Sequence, residues 1–251
     1  MSQAIQAGDP NEQAYLEAYH PEDYPHPPVT VDIAALTAYA GHLWALVIKR
    51  GNRPFRNSWA LPGGFVRMTE SLDQAASRVL AEETGVKDVY LEQLYTFGEP
   101  ERDPRTRVIS VAYYALIAWR KLQPLKPQRG STLMKLSVVW SGETGGPVSL
   151  LDEQGQLQPI AFDHADILGM AVKRIRGKLD YVPIGFQLLP SRFTLRQLQE
   201  VHETIMNRTL NKDSFRRRML ASGLLKATGK REEDVDYRPA ELYRFTRSSA
   251  I

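Results

Sequence analysis

The stretch Gly64 to Val86, GFVRMTESLDQAASRVLAEETGV, decides how the rest of the chain is read. Ser71 is suited to cap a helix, and Gln74 three residues later completes a capping-box pattern. Gly85 supplies a C-terminal stop, so the spacing predicts a helix over Leu72–Thr84. Leu72, Ala75, Ala76, Val79 and Leu80 form its apolar stripe, the pattern of any amphipathic core helix. What sets the segment apart is its polar frame. Gly64, Glu70, Arg78, Glu82, Glu83 and Gly85 stand at fixed spacings, and positions 79, 82 and 83 lie about one turn apart on a helix. Three carboxylates there would hold hard cations that bridge a diphosphate and activate water. Position 79 holds valine, which coordinates nothing.

Working outward, a Pro-rich stretch (Pro21, Pro25, Pro27, Pro28) follows a predicted short helix at 12–19 and imposes an extended entry. VTVDIAALTAY and LWALVIKR, separated by AGH, read as paired strands. GNRPFRNSWALPGGFV reads as a loop. Beyond the helix come strands near Val89–Phe97 and Val108–Ala118, the turn-rich KLQPLKPQRGST, the strand LMKLSVVWS, and a loop or hairpin over 142–158. From Asp163 the periodicity becomes helical. HADILGMAVKRIRGKLDY is followed by two short helices, Thr194–Asn207 and Asp213–Ser222, and then by two strands, LLKATGK and ELYRF, flanking the charged loop REEDVDYRPA.

The 251 residues allow two modest domains or one. There is no cysteine, which excludes disulfides, a thiolate nucleophile and Cys-rich zinc sites. The start carries no secretory pattern and no apolar run approaches a membrane span, so a soluble, cytoplasmic protein with no membrane partner is expected. The net charge of +3 divides unevenly. Residues 165–251 carry 17 Lys and Arg against 10 Asp and Glu, a balance of +7 that leaves −4 for residues 1–164. A basic third points to a polyanion partner, although solvated surface charge gives the same count.

Two helices with a tight turn, then strand, loop and strand, is the order of a winged helix-turn-helix. In its second helix Phe215 and Met219 mark the buried face, so Arg217 points away from it with Arg216 and Arg218 on the flanks. Lys212, Ser214, Arg216, Arg217, Arg218 and, on the wing, Lys230 are the candidate DNA contacts, since arginine reads guanine bidentately or neutralises phosphate. An arginine-bearing helix kept exposed for solubility is the alternative.

The segment from Gly64 resembles the Nudix signature, G-x5-E-x7-R-E-U-x-E-E-x-G-U, at every fixed position except 79. WALPGG is that family's usual approach to the box. The resemblance implies a Nudix α/β/α sandwich with a mixed sheet, so the expected fold class is α+β. A Nudix-like nucleotide-sensing domain is placed at 1–160 and a winged-helix domain at 161–251. The box, Gly64, Glu70, Arg78, Val79, Glu82 and Glu83, is read as vestigial, with Glu82 and Glu83 the candidate Mg2+ ligands. Arg50, Arg56, Gly63, Gly64, Asp103 and Arg105 are the candidate ligand-binding residues, because guanidinium forks and loop N–H groups suit a diphosphate.

Over nearly its whole length the chain is similar to the Nudix-related transcriptional regulators, the NrtR family. The matching stretches are YLEAYHPEDYPHPPVTVD, WALPGGFV with the degenerate box, FGEPERDPRTRVISVAYYAL, and a winged module ending RPAELYRF. That similarity implies a homodimeric repressor of NAD-metabolism genes on palindromic double-stranded DNA, with ADP-ribose or a related nucleotide as effector. The surviving Glu82 and Glu83 keep open an Mg2+-dependent ADP-ribose pyrophosphatase, and Val79→Glu is expected to raise hydrolysis if the rest of the scaffold is intact. A third reading makes the C-terminal module an RNA-binding or protein-interaction appendage.

Overall fold

In the computed structural model, which describes residues 10–123, 130–179, 183–233, 236 and 238–246, the strand β1 (Val29–Tyr39) is the axis of the sheet. Its side chains are buried on both faces because the run VDIAAL alternates apolar groups between two cores. β1 turns through Ala40 and Gly41, both at positive φ, into β2 (His42–Lys49). Two left-handed residues in succession are what a two-residue hairpin needs. β3 (Trp59–Ala60) pairs with β2, and β4 (Gly63–Phe65) pairs with the start of β1. These two short strands correct the sequence reading of 51–66 as a plain loop. The glycines there let the chain lie against β1, with Gly63 opposite Asp32 and Gly64 opposite Val31.

Helix α1 (Pro10–Ala18) precedes the sheet and begins two residues before the expected 12–19. Helix α2 (Leu72–Thr84) is capped by Ser71 and Gln74 and stopped by Gly85 at φ 78°, as the sequence predicts. β5 (Tyr90–Phe97) and β6 (Ile109–Leu116) follow, then the short α3 (Trp119–Leu122), β7 (Ser131–Ser137), and the hairpin of β8 (Ser149–Leu151) and β9 (Leu157–Gln158). The sheet runs β5-β6-β1-β2-β7-β8-β9, with β3 and β4 branching from β2 and β1. The β1–β6 pair is parallel and the other pairs in this sheet are antiparallel. The turn-rich segment predicted over 121–132 lies partly outside the described residues, as does the wing loop.

Helix α2 covers one face, packing Ala75, Ala76, Val79 and Leu80 on Val31, Ile33 and Ala35. Helix α4 (His164–Lys178) covers the other, and its Ile167, Leu168, Ala171, Val172 and Ile175 share a core with Ala34 and Leu36. The helices sandwich the sheet as expected. The core on the α4 face continues without a break into the C-terminal module. It takes in Leu198, Val201 and Ile205 of α5 (Leu195–Met206), Phe215 of α6 (Lys212–Ala221) and Tyr243 of β11 (Glu241–Phe245). β10 (Leu225–Arg231) pairs antiparallel with β11 to form the wing.

Candidate functional site

The two glycines of β4 look to opposite sides of the sheet. A methyl group on Gly64 would stand 3.1 Å from Val79 Cγ2, whereas one on Gly63 would stand 2.2 Å from Asp32 Oδ1. Gly64 thus closes the core over Val79, and Gly63 forms the floor of a cavity on the α4 side.

That cavity, about 220 Å³, is lined by Arg50, Gly63, Gly64, Asp103 and Arg105, five of the six residues named from the sequence as ligand-binding. Arg56, the sixth, lies in an adjoining open hollow with Arg53, Phe55 and Arg105. The structure adds Asp32, Arg102, Phe162 and His164 to the lining. Arg102 is almost fully buried; its guanidinium donates to both oxygens of Asp163 at 2.8 and 2.6 Å and to Asp32 Oδ2 at 3.4 Å. Asp32 also accepts from Ser110 Oγ at 2.5 Å. Arg105 is held by Asp103 through Nε and Nη2, at 3.0 and 2.7 Å. Arg50 donates to the carbonyl of Pro54 and lies over the ring of Phe162, which meets Phe55 edge to face.

His164 Nδ1 accepts the Leu61 N–H at 2.9 Å, which places the proton of the neutral ring on Nε2, 3.6 Å from Asp32 Oδ1. Full burial lowers the pKa of His164, outweighing the carboxylates of Asp32 and Asp163. Burial opposes the charge on Arg102, but its hydrogen bonds to Asp163 and the charge of Asp32 prevail and its pKa is raised. Hydrogen bonding from Arg105, ahead of the opposing effect of burial, keeps the Asp103 carboxyl below its usual range.

The four added residues left uneven traces in the sequence. Asp32 is a lone charge inside the apolar run VTVDIAAL, a signal that a polar pocket interrupts the core. Arg102 lies among residues already suspected. Phe162 and His164 come from a segment some hundred residues further on, and only the fold brings them here.

The glutamates of the box lie on the other face, with α2. Arg78 donates to Glu70 at 2.8 and 2.5 Å, to Glu82 at 3.1 Å and to the carbonyl of Phe65 at 3.1 Å. Hydrogen bonding from Arg78 draws the Glu70 pKa down to about 2. The second oxygen of Glu82 faces Arg67 at 3.4 Å. Val79 is 2% exposed in the α2 core. An Mg2+ ion requires near-octahedral oxygen donors. Glu70 and Glu82 are engaged by arginines, position 79 is apolar, and Glu83 is half-buried on α2, so the three-carboxylate set of the signature is incomplete. Among the described residues no group of three His, Cys, Asp or Glu is placed to hold a metal.

A larger hollow of about 820 Å³ lies between the β1–β2 turn, α3 and α5. Glu200 and Glu203 stand in its wall beside Arg120 and Arg208. It is a crevice between the sheet and the C-terminal module, less suited to a diphosphate than the smaller arginine-lined cavity.

In the C-terminal module Thr194 caps α5 with Gln197, and Asn211 Oδ1 caps α6 by accepting from the Ser214 N–H at 3.0 Å. Phe215 is buried against His202, edge to face at 5.1 Å. That anchoring leaves Lys212, Ser214, Arg216, Arg217 and Arg218 exposed, with Arg218 reaching back across the Phe215 ring at 5.7 Å. Lys230 is exposed on β10 beside Gly229, whose φ of 70° accompanies a break in strand register. No helix among the described residues is long and apolar enough to cross a membrane.

A Nudix sandwich joined by a continuous core to an arginine-bearing winged helix defines a class in which a nucleotide-type pocket and a nucleic-acid-type surface share one chain. Comparison with known proteins gives the family. A NUDIX domain model matches residues 26–134, and the NrtR DNA-binding winged helix domain model matches residues 185–245. The ADPR responsive transcriptional repressor NtrR of Acinetobacter baylyi is 38% identical over 237 residues, covering 94% of this chain and 88% of that protein. The crystal structure of Shewanella oneidensis NrtR with a 27mer DNA superposes with a TM-score of 0.71 at 34% identity, over 86% of this chain and 93% of that one. The NUDIX domain of the same protein, in complex with ADP ribose, matches at 30% identity and a TM-score of 0.50, over 65% of this chain and 98% of that one. The chain belongs to the NrtR family. Helix α4 lies between the stretches matched by the two models.

Proposed function

We propose that the chain is an ADP-ribose-responsive, DNA-binding transcriptional repressor, with ADP-ribose held in the Arg50, Arg102 and Arg105 cavity and operator DNA held by α6 and the wing. The observation that carries this reading is the pairing of an arginine-lined pocket over Gly63 with a signature helix whose position 79 is sealed in the core. A site of that kind binds a diphosphate without assembling the metal cluster that would cleave it. The cavity and the hollow around Arg53, Phe55 and Arg56 share Arg105, so together they give an extended nucleotide room for both phosphates and base. The relatives support the assignment, one being an ADPR responsive repressor and another having been crystallised with DNA and, as its NUDIX domain, with ADP ribose.

The repressor acts in the cytoplasm as a homodimer whose two winged modules meet a palindromic operator, and its targets are genes of NAD metabolism. The decisive experiment is fluorescence anisotropy on a palindromic duplex enriched from a random pool by the protein itself, with and without ADP-ribose. The duplex is bound in preference to unrelated DNA at matched salt, and ADP-ribose releases it. Equal affinity for both DNAs would return the winged module to an appendage, and indifference to ADP-ribose would remove the effector assignment.

A further inference from the structure

Two of the three arginines that line the pocket are already paired with carboxylates. Arg105 is paired with Asp103, and Arg102 with Asp163 and Asp32, while Arg50 donates to the carbonyl of Pro54, so two of the three guanidinium groups of the cavity are already compensated. A diphosphate seated in this cavity meets Arg50 and gains a second forked donor when a paired guanidinium turns from its carboxylate. Of the paired arginines, Arg102 is the buried one, and its chief partner belongs to α4. Asp163 stands at the N-cap position of that helix with ψ 20°, outside the extended backbone of a capping residue; it makes no side-chain cap hydrogen bond and turns both its oxygens to Arg102.

Helix α4 is a rod of 15 residues, roughly 22 Å at 1.5 Å per residue. Its far end is fastened to the DNA-binding module. Arg176, 2% exposed, donates from Nε to the carbonyl of Ile205 in α5 at 2.8 Å. Its Nη1 donates to the carbonyls of Trp140 and Gly142. Arg174 donates to the Leu94 carbonyl and Lys178 pairs with Glu92, giving the C-terminal half a pivot on the sheet.

We propose that Arg102 is a ligand-released latch: without effector it holds Asp163 and thereby the first turn of α4, and the diphosphate of the effector takes the guanidinium away. Freed Asp163 no longer ties the start of α4 to the pocket wall, while the first turn keeps its own bonds from the Asp166 and Ile167 N–H groups to the Asp163 carbonyl, and α4 settles differently between the pocket and α5. The ligand shifts the equilibrium by its preference for the released state. This inference rests on the effector assignment above.

The experiment measures ADP-ribose affinity by calorimetry, and DNA affinity with and without ADP-ribose, for the full chain and two variants. Asp163→Asn keeps the size of the side chain and an accepting oxygen, but removes the charge that holds Arg102. It binds ADP-ribose more tightly than the parent, and its DNA affinity without ligand is already lowered. The ratio of DNA affinities without and with ligand therefore falls toward 1, from the value of about 5 or more that allosteric coupling brings to the parent. Arg102→Lys keeps the charge and loses the fork; it weakens ADP-ribose binding and narrows the same ratio. An unchanged ratio in Asp163→Asn, with the parent responding normally, overturns the latch alone. A parent chain that binds DNA but ignores ADP-ribose overturns the effector assignment and the latch with it.

Discussion

Val79→Glu restores the missing carboxylate of the signature, and its outcome can be worked from the packing. Val79 is 2% exposed among Ala75, Ala76 and Leu80, with the backbone of Gly64 closing over it. A glutamate accommodated there must stay neutral, since no cation reaches that core and unpaired buried carboxylates take up a proton. Its ordinary pKa is about 4.3, so protonation at pH 7 costs about 4 kcal/mol. At pH 5 the same term is about 1 kcal/mol. Because the group's pKa is raised on folding, the folded state binds the extra proton and is favoured as pH falls. Urea denaturation of variant and parent at the two pH values should give a deficit of about 4 kcal/mol that shrinks by about 3 kcal/mol between pH 7 and 5. ADP-ribose turnover with Mg2+ stays below ordinary enzyme rates of about 1 per second. The sequence ties a gain in hydrolysis to an otherwise intact scaffold, and the burial of position 79 argues that this condition is not met. A deficit under 1 kcal/mol at pH 7, together with Mg2+-dependent formation of AMP and ribose phosphate, would refute the reasoning and make the box a hydrolase site one residue short.

Other consequences are simpler to state. Arg217→Ala, on the exposed face of α6, should weaken binding to all DNA sequences alike and reduce the salt slope by about 1 if the side chain meets phosphate; a loss confined to one base position would instead identify a base contact. His164 has a lowered pKa in the folded state, so the stability it contributes is present above its ordinary value of 6.5 and lost as pH falls below it. Thermal melts of the parent should show that loss, and His164→Gln should flatten it; an unchanged profile would mean that His164 ionises without penalty beside Asp32, Asp163, Arg102 and Arg50. Gly169→Ala would place a methyl group 1.9 Å from the carbonyl oxygen of Gly146. It should cost about 1–3 kcal/mol by overpacking α4 against that loop, and a variant as stable as the parent would show that the loop yields.

The elements that local physics dictates were legible in advance. Ser71, Gln74 and Gly85 bound α2 because capping is a property of adjacent residues, and Phe215 sets the buried face of α6 through helical periodicity alone. β3 and β4 were not legible, since two- and three-residue strands exist only through their pairing with β2 and β1. The same limit applied to the site. Gly63, Arg50 and Arg105 could be named from composition, but Arg102 acquires its meaning from Asp163, sixty-one residues away. Charge counting also went only part of the way. Arg174, Arg176 and Lys178 contribute to the basic balance of the C-terminal third, yet their side chains fasten α4 to the sheet and to α5.

The surviving polar residues of the box acquire a purpose that does not depend on catalysis. Arg78 bridges Glu70 and Glu82 and holds the carbonyl of Phe65, the residue that follows the two glycines. Glu70 in turn accepts the Arg67 N–H at 2.9 Å, closing the loop between β4 and α2 on itself. The box thus fixes the course of Gly63–Phe65, and Gly63, by lacking a side chain, leaves room for the carboxylate of Asp32 beneath the cavity. A glutamate at position 79 would add nothing to that scaffold, whereas valine completes the core of α2 against Gly64. On the function proposed above, a box with valine at 79 but with the arginine and its two partners in place can serve binding without cleavage, because the pocket on the α4 face depends on the shape of the loop and not on a metal on the α2 face.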